Sequence, residues 1–88
     1  MSNKKDENKS FIAIMTAGAV EKIILYNNEM TFQEASNSFL RSQTYQLLIK
    51  NPKLYWHEGA DYFYDLWQNE QKYGHPIPSF LLELEGKI

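Results

Sequence analysis

The stretch Leu54-Tyr55-Trp56-His57-Glu58-Gly59-Ala60-Asp61-Tyr62-Phe63-Tyr64-Asp65-Leu66-Trp67 places six aromatic residues within fourteen positions and interleaves them with acids. Beyond Gly59 the large side chains recur at helical intervals. Tyr62, Phe63, Leu66, Trp67, Glu70 and Tyr73 follow i, i+3, i+4, i+7 spacing, and all but Glu70 make one aromatic-rich stripe. Burial of Phe63, Leu66 and Trp67 contributes about 1.5–3 kcal/mol each. The spacing therefore predicts a helix from Gly59 to about Tyr73, and Gly74 suits the left-handed position that stops it. Such a stripe must be covered by other parts of the chain or by a partner.

The N-terminal third supplies the cover. Phe11, Ile12, Met15, Ala19, Ile23 and Tyr26 fall on one face at about 100° per residue. Ile14, Gly18 and Leu25 widen that face, and Val20 and Ile24 lie nearly opposite. A helix is expected over 11–27 with Ser10 as its N-cap, preceded by a polar, frayed terminus over 1–9. A helix this apolar around its girth is enclosed on more than one side, either at the centre of a bundle or in a dimer interface.

Asn27-Asn28-Glu29 reads as a turn. Thr31-Phe32-Gln33-Glu34 then matches a capping box, with Met30 and Ala35 at the staple positions. The second helix runs to about Arg41 and turns Phe32, Ala35, Phe39 and Leu40 inward. A third, over 43–50, buries Tyr45 and Leu48, with Leu47 and Ile49 beside them, and Asn51-Pro52 ends it because a residue before proline disfavours the helical well. Residues 52–58 read as extended, His75-Pro76-Ile77-Pro78 as a stiff connector, and Ser79 as the cap of a last short helix over 80–84. The expected fold is all-α: a compact bundle of about four helices with a short C-terminal fifth, the first and fourth forming the main packing pair. Its organisation is a flexible N-terminus (1–9), a helical domain (10–74), and a proline-containing connector with the terminal helix (75–88).

Eighty-eight residues make one domain, which buries roughly two-thirds of its unfolded surface. With no cysteine, disulfides and thiolate metal sites are excluded, so the core stabilises the fold alone or shares the task with a second subunit. The net charge of −2 argues against a general nucleic-acid coat, which needs a basic surface. The charge is uneven, however. Residues 41–53 carry Arg41, Lys50 and Lys53 with no acid, whereas Glu58, Asp61, Asp65, Glu70, Glu83 and Glu85 face only Lys72 and Lys87 in the last third. A dipolar molecule of this kind can steer a partner or a second copy of itself. The apolar run from Phe11 to Val20 is too short to span a bilayer. It resembles a signal-peptide core, but the apolar pattern continues through Ile23, Ile24 and Tyr26 as a folded helix would. The expected setting is cytoplasmic, without a membrane partner, and the excess of lysine over arginine suits an AT-rich bacterial genome.

Several constellations carry candidate chemistry. His57, Asp61 and Asp65 stand at i, i+4, i+8, a spacing that can hold a divalent ion, but a helix starting at Gly59 leaves His57 out of line. Glu58, Asp61, Asp65 and Glu70 include possible acid–base pairs, with no nucleophile triad or phosphate loop beside them. Neither a metal, a cofactor nor an enzyme is expected. Residues 32–50 resemble a helix-turn-helix, with Gln43, Thr44, Gln46 and Lys50 exposed on the recognition helix and Arg41 and Lys53 near phosphates. The turn lacks the usual glycine, so a DNA-binding regulator is the alternative reading. The preferred one is a non-catalytic interaction or regulatory module that self-associates, as a homodimer for instance, or binds one protein partner. Tyr55, Trp56 and Tyr64 fall off the aromatic stripe and are the candidate partner-binding residues.

The segments Phe32-Gln33-Glu34-Ala35, Phe39-Leu40-Arg41-Ser42-Gln43-Thr44-Tyr45-Gln46-Leu47-Leu48 and Trp56-His57-Glu58-Gly59-Ala60-Asp61-Tyr62 resemble a pattern in small all-helical proteins of Gram-positive bacteria, often encoded near mobile elements or toxin-like genes. The similarity covers about residues 11–72. Proline often follows the glycine in that pattern, where this chain has Ala60. The resemblance implies no known activity and transfers no functional residue. It implies a regulatory or antitoxin-like partner protein.

Overall fold

The long apolar helix and the aromatic helix pack on each other, as their patterns require. The computed structural model describes residues 4–86. Its elements are α1 (Lys4–Tyr26), α2 (Phe32–Leu40), α3 (Gln43–Lys50), α4 (Pro52–Tyr55), α5 (Ala60–Tyr73) and α6 (Ser79–Leu84), with no strand among the described residues. The α1–α5 contact is the most extensive, and α1 also touches α2, α3 and α4. Of the two positions its girth allows, the centre of a bundle and a dimer interface, these contacts give α1 the first within the single chain. Ala19, Val20 and Ile23 of α1 join Phe63, Leu66 and Trp67 of α5 in one buried cluster, completed by Ala35, Phe39 and Leu48. Gly18 marks the close approach of the two helices: a Cβ there would lie 2.5 Å from the Ala60 Cβ.

Four of the six helices among the described residues have eight residues or more. Their starts and stops follow local chemistry. The capping box of α2 is formed: the Glu34 amide donates to Thr31 Oγ1 at 3.1 Å, and the Thr31 amide donates to Glu34 Oε1 at 2.9 Å. The backbone hydrogen bond from Thr31 holds the Glu34 carboxyl below the usual carboxylate range. Ser42 caps α3 by accepting from the Tyr45 amide at 3.0 Å, while its own hydroxyl donates to the Phe39 carbonyl at 2.6 Å. Gly74 ends α5 at φ 84°, and its amide donates to the Glu70 carbonyl at 2.8 Å.

Several expectations need correction. Residues 4–9 are helical, so Ser10 lies inside α1 rather than capping it; once Phe11 and Ile12 dock, the helix is nucleated and extending it outward through a segment with three lysines and a glutamate costs little. The rest of the frayed terminus, 1–3, lies outside the described residues, as do 87 and 88. Residues 52–58 are not all extended, because Pro52 begins α4, where a missing amide costs nothing at the first helical position. Ser79 is the first residue of α6, not its cap; Pro78 holds the cap position. Phe32 and Leu40 do not turn inward. Phe32 is 71% exposed and Leu40 43%. Helical side chains lean toward the N-terminus, so Phe32 at the first position projects past the end of α2 instead of onto the core.

Candidate functional site

The exposure of Phe32 and Leu40 has a structural counterpart. Together with Ile49 of α3 they border a groove of about 580 Å³ whose floor is the Ile12, Thr16 and Val20 side of α1. Ala13 and Ala17 keep that floor low. Among the described residues that line the groove, Lys9 alone is charged. The walls are held firmly: the capping box fixes the start of α2, and Ser42 fixes the start of α3. What results is a preformed apolar trough between three helices, the shape that receives an amphipathic helix. A second recess, of about 500 Å³, lies where the N-terminal part of α1 meets α4. It is lined by Phe11, Pro52 and Trp56, with Glu7, Asn8 and Lys53 around them.

The polar side of α5 has a different task. Glu70, the one acid on the aromatic stripe, points at the N-terminus of α3. Its Oε2 accepts from the Gln43 amide at 2.8 Å, and its Oε1 accepts from the Thr44 amide at 2.9 Å and the Thr44 hydroxyl at 2.8 Å. A carboxylate there satisfies two of the orphan amides of the helix and complements its positive end. Asp65 serves α6 in the same way, accepting from the Ser79 amide at 2.8 Å and from the Ser79 hydroxyl. Asn69 Nδ2 donates to the Ile77 carbonyl at 2.6 Å and to Ser79 Oγ at 3.1 Å. Helix α5 thus pins α3 with one carboxylate and α6 with another.

The candidate residues distribute as follows. Tyr55 and Tyr64 are half-buried and support the core: the Tyr55 ring lies 5.6 Å from Phe63 and 5.9 Å from Tyr62, and the Tyr64 ring lies 5.3 Å from Tyr26. Tyr62 and Tyr64 stand about 200° apart on α5, so Tyr55 and Tyr64 flank opposite edges of its buried stripe. Of the three, only Trp56 is open, at 64% exposed, with its ring 3.9 Å from that of His57. Burial pushes the neighbouring Tyr62 hydroxyl above its ordinary pKa, with Tyr55, Glu58 and Asp65 adding to the effect.

Of the candidate DNA-binding set, Gln43, Gln46 and Lys50 are exposed as expected. Thr44 is not: it is fully buried against Glu70. Gln43 Nε2 donates to the Gly74 carbonyl at 3.1 Å, and Arg41 Nε donates to the Asn37 carbonyl at 3.2 Å. An acidic side chain covers the helix end that would face the nucleic acid. His57, Asp61 and Asp65 are drawn to separate partners. Asp61 pairs with Lys22, whose ammonium that hydrogen bond holds above its ordinary pKa, and Asp65 is taken by Ser79. Among the described residues no three His, Cys, Asp or Glu side chains gather as a metal site.

The groove residues Phe32, Leu40 and Ile49 escaped sequence reasoning as a site. The available signal was position: each sits at the edge or first turn of a short helix whose centre is already occupied by Ala35 and Phe39 or by Leu48. No family model, curated protein or solved structure matches the chain.

Proposed function

We propose that the chain is a non-catalytic interaction module, a small helical bundle of a bacterial cytoplasm that binds a protein through the groove between α1, α2 and α3. One observation carries this reading: Phe32, a large aromatic at 71% exposure, stands on the rim of a preformed trough in which Lys9 alone is charged among the described lining residues. Exposed apolar clusters rimmed by polar residues mark interaction sites, and aromatic side chains are their usual anchors. Tyr55 and Tyr64 pack against the core, and Trp56 borders the second recess. Among the described residues no helix is long and apolar enough to cross a membrane. The regulatory partner implied by the resemblance to small helical proteins of Gram-positive bacteria belongs to the same proposal.

The test is photo-crosslinking in the native host. A photoreactive phenylalanine analogue replaces Phe32 in one strain and the exposed Gln71 of α5 in another. A discrete product from position 32, absent from position 71 and lost when Ile49→Asp is added, supports the groove. Equal products from both positions, or none from position 32, overturn it.

A further inference from the structure

The same chain carries an element that suits its own groove. Leu82 of α6 is buried against the body of the protein, whereas Phe80 (58% exposed), Leu81 and Leu84 (79% exposed) point away from it. On a helix these three span an arc of about 100°, with Phe80 and Leu84 one turn apart, which is the spacing of groove-binding anchors. Helix α6 packs on α5, while the groove is built from α1, α2 and α3. Charge separates the two surfaces. Lys9 is on the groove wall, exposed Arg41 and Lys50 directly follow the groove residues Leu40 and Ile49, and no acid occurs between Glu34 and Glu58. From Tyr73 to Gly86 there is no lysine or arginine, and Glu83 is exposed beside the outward face of α6.

We propose that the groove receives α6 of a second copy of this chain, with Phe80 and Leu84 seated between Phe32, Leu40 and Ile49 and the acidic end of one molecule set against the basic rim of the next. This names the partner of the groove and rests on the reading given under Proposed function. The contact is heterologous: each copy offers one groove and one helix, so the interface is not self-complementary.

That property gives the test. Static light scattering on the purified full chain is compared among the wild type, a groove variant (Phe32→Asp) and a helix variant (Phe80→Ser with Leu84→Ser). Unchanged circular dichroism certifies their folding, and Leu84→Glu replaces the double variant if that one unfolds. The wild type is expected to exceed the mass of one chain as concentration rises, and added salt is expected to weaken the association. Each variant alone is expected to stay at one chain. Their equimolar mixture is expected to stop at two chains, because the intact helix of one copy fills the intact groove of the other. A monomeric wild type, a variant that still associates, or a mixture that stays at one chain overturns the proposal. If the wild type is monomeric while position 32 crosslinks a different protein in the host, the second-copy proposal fails and the groove reading stands.

Discussion

The approach of α1 to α5 at Gly18 offers a substitution whose effect changes sign with its neighbour. A methyl at position 18 would sit 2.5 Å from the Ala60 Cβ, nearly an ångström inside ordinary contact at 3.4 Å. Neither methyl can rotate away, so the helices must part or slide. Over-packing of this kind costs about 1–3 kcal/mol. Replacing a mid-helix glycine by alanine gains about 0.8–1 kcal/mol of helix propensity. Gly18→Ala in the wild type should therefore destabilise, by about 1 kcal/mol at the centre of that range. In an Ala60→Gly background the nearest remaining atom of residue 60 is its Cα at 3.9 Å, an ordinary contact. There Gly18→Ala should stabilise by about 1 kcal/mol. Urea unfolding of the four proteins, followed by circular dichroism at the helix band, closes the cycle. The expected coupling is about 1–3 kcal/mol; each kcal/mol should also appear as a shift of about 4–8 °C in Tm. Additivity within about 0.5 kcal/mol would refute the close approach of these two helices.

Other substitutions probe the remaining joints. Glu70→Ala should cost about 1.5–3 kcal/mol in urea unfolding, because it strips the acceptor from the first turn of α3; Glu70→Gln should recover part of the loss, and a change below about 0.5 kcal/mol would contradict the joint. Asp65→Ala with Asn69→Ala should speed amide exchange and protease cleavage over 76–86 while α5 stays protected; unchanged exchange would show that Asp65 and Asn69 do not hold α6. Thr31→Ala should cost about 0.5–2 kcal/mol. Because the folded protein holds the Glu34 carboxyl below its unfolded value, its contribution is present above the unfolded pKa and is lost as pH falls through the lower folded one. A Glu34→Gln variant, which removes the titrating carboxyl, should therefore lose less stability on acidification than the wild type, as an acid titration of the unfolding midpoint would show.

What could be read in the sequence was what the chain decides locally. The Thr31–Glu34 box, the bounds of α3, the Gly74 stop and the α5 stripe each depend on residues within a turn or two of one another, and each is present. The all-helical class followed from periodicity, which left α1 either at the centre of a bundle or in a dimer interface. The contacts that depend on where a neighbouring helix lies were not legible. Glu70 was visible as the lone acid on an aromatic stripe, but nothing local says that the N-terminus of α3 arrives there. Phe32 has the periodicity of a core residue, and only the lean of its side chain at the first turn, combined with the position of α1, leaves it open. Ala60 reads as an unremarked helix start until Gly18 is brought against it. Thr44 looked like a surface residue because its polarity is satisfied by a side chain 26 positions away.

The most direct test of the central claim is the unfolding free energy of Phe32→Ser, measured by denaturant titration beside a Phe39→Ser control at a concentration low enough that light scattering shows single chains. If the fold leaves Phe32 on the rim of a binding groove, its replacement should change stability by no more than about 0.5 kcal/mol, as at an ordinary surface site. The control, fully buried, should lose about 3–5 kcal/mol. A Phe32 variant that loses stability on the scale of the control would place this ring in the core and leave the groove without its anchor.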